Sequence, residues 1–217
     1  MSQSLTSTNL SDGRTAISSG FYGKIPARGD FVGVSLPARF VDPWHQWVQQ
    51  MLLASRAELG DAWLPAWLEA PVWRFAFAAG VCGPDAAIGL WMPSVDRVGR
   101  HFPLAFAAVV HDGLSSDLLR YGAAFLAAAE RAGLDALERD IGPEEVVAQL
   151  LAINGCEVGA AGADPRMLPS NGAQWWTDGS PRVPATTLAG SALPDEATFA
   201  AMLDASAARA QPVCTLR

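Results

Sequence analysis

Pro71-Val-Trp-Arg-Phe-Ala-Phe-Ala-Ala-Gly80, followed after a short interval by Ala87-Ile-Gly-Leu-Trp-Met-Pro-Ser-Val-Asp-Arg-Val-Gly-Arg-His-Phe-Pro-Leu-Ala-Phe-Ala-Ala-Val-Val110, decides the fold. Three short runs rich in aromatic and β-branched residues are separated by Gly, Pro and Asp, the pattern of neighbouring strands joined by turns. In the first run Trp73, Phe75 and Phe77 share one face, and Arg74 points to the other with small alanines. A guanidinium on a sheet face needs solvent or a carboxylate, and Asp96 at the exit of the next strand is the candidate partner.

Outward from this centre the pattern turns helical. Asp42-Pro43 reads as an N-cap with proline at the first helical position, and Trp44, Trp47, Val48, Met51, Leu52 and Leu59 follow at helical spacing until Gly60. Trp63/Trp67 and Leu64/Leu68 mark a second, shorter helix from Asp61. Helical periodicity alone accounts for this tryptophan stripe, so core packing is preferred to a ligand box. After the strands, Leu118, Tyr121, Phe125 and Ala129 form another apolar stripe, with Gly133 near its end, and Gly142-Pro143 opens a helix with Glu144 and Glu145 in its first turn. From Asn154 to Gly190 the chain reads mostly as loop, interrupted by a short strand at Ala173–Thr177; a last helix runs from Pro194 to Ser206. Strands flanked by helices in sequence predict a sheet covered on both faces. Residues 1–19 are polar and aperiodic and read as a disordered leader, ahead of a single α/β domain over 20–217 with a first strand near Phe21–Ile25.

Composition narrows the function. A net charge of −7 disfavours binding to a phosphate backbone, so nucleic acid is not expected. Cys82, Cys156 and Cys214 are odd in number and lack metal or redox spacing, which predicts reduced thiols in a cytoplasmic protein. The longest apolar run falls far short of the ~20 residues of a membrane-spanning helix.

Candidate chemistry concentrates at the turn Ser94–His101. Ser94, Asp96 and His101 supply the residue types of a hydrolytic triad, but no nucleophile elbow surrounds Ser94 and the three lie too close in sequence to arrange easily. His45, His101 and His111 stand alone, without metal-ligand spacing, and no phosphate or dinucleotide fingerprint is present. Arg97 and Arg100 beside Gly99 could hold a phosphate or carboxylate. The preferred reading makes them staples to Asp96 and Asp30, because such a turn leaves buried backbone groups to satisfy. Arg28-Gly-Asp30 is a tight turn with a local ion pair.

Taken together, Gly20-Phe-Tyr-Gly-Lys-Ile-Pro-Ala-Arg-Gly-Asp-Phe31, Pro71-Val-Trp-Arg-Phe75, Gly89 through Arg100 with Phe102-Pro-Leu104, and Trp175-Trp176 resemble the type VI secretion-associated TagF family. The resemblance implies a three-layer α/β/α sandwich with a central mixed sheet. It also implies a non-enzymatic cytoplasmic accessory protein that represses type VI secretion after translation, by protein–protein binding. A forkhead-associated scaffold or another apparatus component would be the partner, with a functional link to a PppA-like phosphatase, and neither a cofactor nor membrane insertion is expected. Arg28, Asp30, Arg74, Ser94, Asp96, Arg97 and Arg100 are the family-signature polar residues, and Trp73, Trp175 and Trp176 the signature aromatics. No catalytic role comes with them, and their expected work is to hold the Gly29 turn against the Gly99 turn. The alternative is an anion or small-ligand sensor, or a hydrolase, built on Ser94, Asp96, Arg97 and Arg100.

Overall fold

The computed structural model describes residues 17–110, 116–151 and 171–207. The expected leader up to residue 16, His111, Cys156, Cys214 and the loop residues 154–170 lie outside these. Seven strands form one sheet: β1 (Ile17–Gly23), β2 (Val32–Val34), β3 (Trp73–Phe77), β4 (Ala86–Met92), β5 (Leu104–Val110), β6 (Ala173–Thr177) and β7 (Thr186–Gly190), in the order β2-β1-β5-β4-β3-β6-β7. The helices are α1 (Ala38–Leu59), α2 (Trp63–Leu68), α3 (Ser116–Glu138), α4 (Pro143–Leu151) and α5 (Glu196–Leu203).

The three central strands stand where the sequence places them. β4 and β5 are buried at every residue, which is why they read as continuous apolar runs rather than alternating ones. The expected mixed sheet is corrected: each of the six strand pairings is antiparallel. Two strands escape the sequence reading. β2 has only three residues, and β7, Thr-Thr-Leu-Ala-Gly, is an exposed edge with one large apolar side chain. β1 begins at Ile17, ahead of the expected Gly20.

Alternation along β3 sorts the core. Trp73, Phe75 and Phe77 pack with Trp175 against Trp44 and Trp47 of α1, Trp67 of α2 and Phe199 of α5. On the opposite face Ala76, Ile88, Leu90, Phe106 and Trp176 pack against Phe125 and Ala129 of α3 and Val146 of α4. All eight tryptophans are buried, so the stripe in α1 and α2 is core.

Two helix boundaries differ from expectation for tertiary reasons. α1 starts at Ala38, where Phe40 and Val41 donate to the carbonyl of Pro37, and Pro43 lies inside the helix. A proline there cannot donate to the carbonyl of Arg39. Gly83, at φ 96°, comes so close to that carbonyl that a Cβ would sit 2.2 Å from its oxygen. Gly133 is interior to α3 rather than at its end, because the helix presses there on Met92 and Phe106, leaving no room for a side chain. α5 is capped by Asp195, whose carboxylate accepts from the Thr198 amide at 2.9 Å.

Cys82 is a buried free thiol whose Sγ lies 3.8 Å from the carbonyl oxygen of Phe40. Burial pushes its pKa up to about 12, so almost no thiolate exists at neutral pH. Native protein exposed to iodoacetamide at pH 8 should therefore remain unmodified at Cys82 by peptide mass mapping, with alkylation appearing on addition of denaturant.

Candidate functional site

β1 and β5 are antiparallel, with Tyr22 opposite Ala105, so the chain leaving β1 emerges beside the chain entering β5. This brings the Gly29 corner, between β1 and β2, against the Gly99 corner, between β4 and β5. The backbone joins them directly: the Arg97 amide donates to the carbonyl of Arg28 at 3.0 Å. The Arg100 guanidinium donates to the carbonyl of Gly29 and lies 3.7 Å from Asp30.

Asp96 is the hub. Its side chain is fully buried, with the Lys24 ammonium at 2.6 Å and Arg100 Nε at 2.7 Å on Oδ2. Its Oδ1 accepts the amides of Val98 at 3.0 Å and Arg100 at 2.9 Å. Burial alone would raise the pKa of this carboxyl. The hydrogen bonds from Lys24, Arg100 and Val98 outweigh it and hold the group well below the usual carboxylate range. Gly99 turns the tip at φ 86°, a conformation that suits glycine, and its amide returns to the carbonyl of Asp96.

Ser94 is buried at the base of the turn. Its hydroxyl donates to the carbonyl of Lys24 at 2.6 Å, and its own carbonyl accepts from the amide of Phe102 and the indole of Trp67. His101 stands edge-on to Trp63 and Trp67. Burial first, and Arg56 second, push its pKa below the ordinary imidazole value. Ser94, Asp96 and His101 thus share one turn, with the hydroxyl and the carboxylate committed to the junction.

The remaining signature residues separate. Arg28 is half-exposed, 3.4 Å from an exposed Glu144, an ion pair of little worth. Arg74 does not meet Asp96: it lies on the α3 face, bonded to Glu130 at 2.7 Å and Asp178 at 2.9 Å. Trp73, Trp175 and Trp176 are core residues, Trp73 donating its indole N–H to the carbonyl of Met202. Lys24 is the junction residue that the sequence reading passes over. Its signal is a lysine enclosed in the apolar run Phe21–Ile25, a position that calls for a buried carboxylate. Beside it Tyr22, Phe31, His45 and Phe102 form an aromatic group, with Tyr22 Oη and His45 Nδ1 2.7 Å apart and the Lys24 ammonium 5.0 Å from the Phe31 ring centre.

Among the described residues no group of three or more His, Cys, Asp or Glu is placed to hold a metal ion. No curated protein matches the chain. The model of the TagF N-terminal domain, type VI secretion system-associated, matches residues 20–153, more than half of the chain. The chain belongs to the TagF family. Both glycine corners fall inside the TagF match, whereas β6, β7 and α5 lie beyond it. Among solved structures, PA0076 from Pseudomonas aeruginosa PAO1 is 30% identical and superposes with a TM-score of 0.68, covering 92% of this chain and 98% of that one. Among the described residues no helix is long and apolar enough to cross a membrane.

Proposed function

We propose that this chain is a non-enzymatic accessory protein that restrains type VI secretion after translation by binding a component of the apparatus. The observation that carries the reading is the family match over residues 20–153. The inward commitment of the junction supports it, since Ser94 and Asp96 spend their polar atoms on the fold. A buried, internally satisfied polar network rigidifies a surface and leaves no group free to attack a substrate. On this reading the protein works in the cytoplasm as a three-layer α/β/α body, with a forkhead-associated scaffold as the first partner to test and a PppA-like phosphatase as a functional associate. Of the anion-sensor alternative only Arg97 remains: its guanidinium has no carboxylate partner among the described residues, whereas Arg100 is engaged by Asp96.

The test is overproduction of the chain in a host with an active type VI system. Release of a secreted substrate into the medium should fall strongly while the cellular levels of the apparatus proteins stay constant. Unchanged release, or a parallel fall in apparatus levels, would overturn the reading.

A further inference from the structure

The Gly99 corner is held more firmly than an eleven-residue connector between adjacent strands requires. Four successive amides, those of Arg97, Val98, Gly99 and Arg100, are all bonded, two of them to a buried carboxylate. Yet the tip presents Val98 66% exposed, a β-branched apolar side chain that gains nothing from water. Arg97 is exposed beside it without an ion-pair partner among the described residues, and Phe31, 42% exposed, follows the facing corner. An exposed valine flanked by arginine on a stiff protrusion combines an apolar anchor, a fixed positive charge and a conformation ordered before contact. Such a tip loses little further entropy on binding, and arginine is among the residues that most often dominate interface energy.

We propose that the Arg97–Gly99 tip is a docking contact that seats Val98 in an apolar pocket rimmed by carboxylates on a partner protein. Charge argues for an acidic rim. The chain carries a net charge of −7, so an acidic partner is disfavoured by the surface at large and complementary to an exposed tip whose Arg97 has no ion-pair partner among the described residues. This rests on the reading of the chain as a binding protein and adds the surface and the chemistry of what it meets.

The test places a photo-crosslinking residue in the full chain, Val98→p-benzoylphenylalanine, in cells with an active type VI system. A control replaces Thr187, exposed on β7 at the far edge of the sheet, in the same way. A protein adduct is expected at position 98 and not at 187, and the crosslinked peptide should hold Asp or Glu around apolar residues. Arg97→Glu should reduce the adduct severalfold, whereas Arg139→Glu, just beyond the end of α3, should leave it unchanged, with melting temperatures confirming that both variants fold. No adduct above that at 187, a peptide without carboxylates, an adduct to a second copy of this chain, or insensitivity to Arg97→Glu would each overturn the proposal. Secretion measured in the same cells separates the two readings. If the wild-type chain represses release while position 98 stays uncrosslinked, only the tip assignment fails; if it does not repress, the functional reading fails whatever the crosslink shows.

Discussion

Asp96→Asn is expected to lower the free energy of unfolding by about 3–5 kcal/mol, the usual cost of removing one partner from a buried ion pair. The carboxamide can still accept the Val98 and Arg100 amides, but its nitrogen would face the Lys24 ammonium, now buried without a counter-charge. In a domain of this size the melting temperature should drop on the order of 10 °C. Lys24→Met added to Asp96→Asn should recover part of the loss, since removing both charges relieves the orphaned one. The dependence on pH follows from the lowered carboxyl pKa of Asp96 in the folded state. A depressed folded pKa contributes stability that is fully present above the unfolded value of about 3.9, and that is lost as pH falls towards the folded one. The gap between wild type and Asp96→Asn should therefore be constant near neutrality and narrow below about pH 4. A gap that stayed constant to lower pH would mean that the Asp96 charge does not stabilise the junction.

Trp44→Ala should be of similar size, about 3–5 kcal/mol, for a different reason. The Trp44 ring is fully buried between sheet and helices, with centroids 5.1 Å from Trp47 and 5.4 Å from Phe75, and it stacks on Trp175. Its indole N–H has no hydrogen-bond partner among the described residues, so truncation removes packing and leaves a cavity without breaking a bond. Trp44→Phe keeps an aromatic ring and deletes the unpaired donor, and should cost on the order of 1 kcal/mol. Urea titration distinguishes the outcomes through the midpoint at unchanged slope. Equal losses for the two variants would show that the indole nitrogen matters more than its geometry indicates.

The legible parts of the fold are those decided by local pattern. β3, β4 and β5 announce themselves because central strands covered on both faces are continuously apolar, and the Trp44–Leu52 stripe because a half-buried helix repeats every three to four residues. The misread parts are those where a distant group overrides local chemistry. Pro43 resembles a first-turn proline, yet the helix continues around it, with Gly83 leaving space at the carbonyl that loses its donor. Gly133 resembles a terminator, yet its missing side chain is what Met92 occupies. The antiparallel sense of the β1–β5 and β3–β6 pairings was hidden because helices lie between those strands in the chain, a pattern that in sequence looks like crossovers between parallel strands. At the site, the fastening of Arg100 to Asp96 and Asp30 could be read from residue types within a few positions of each glycine, but the same staple expected of Arg97 is corrected: Arg97 joins the corners through its backbone amide. Lys24, 72 residues from Asp96, could not, and neither could Glu130 and Asp178, which take the place foreseen for Asp96 beside Arg74.

Amide hydrogen exchange at the Gly99 corner tests most directly whether the two corners form one rigid junction. The amides of Arg97, Val98, Gly99 and Arg100 sit in an exposed connector and should nevertheless exchange far more slowly than those of a free peptide, with protection approaching that of the neighbouring strands. Exchange of Val98 and Arg100 at free-peptide rates in the native protein would contradict the account.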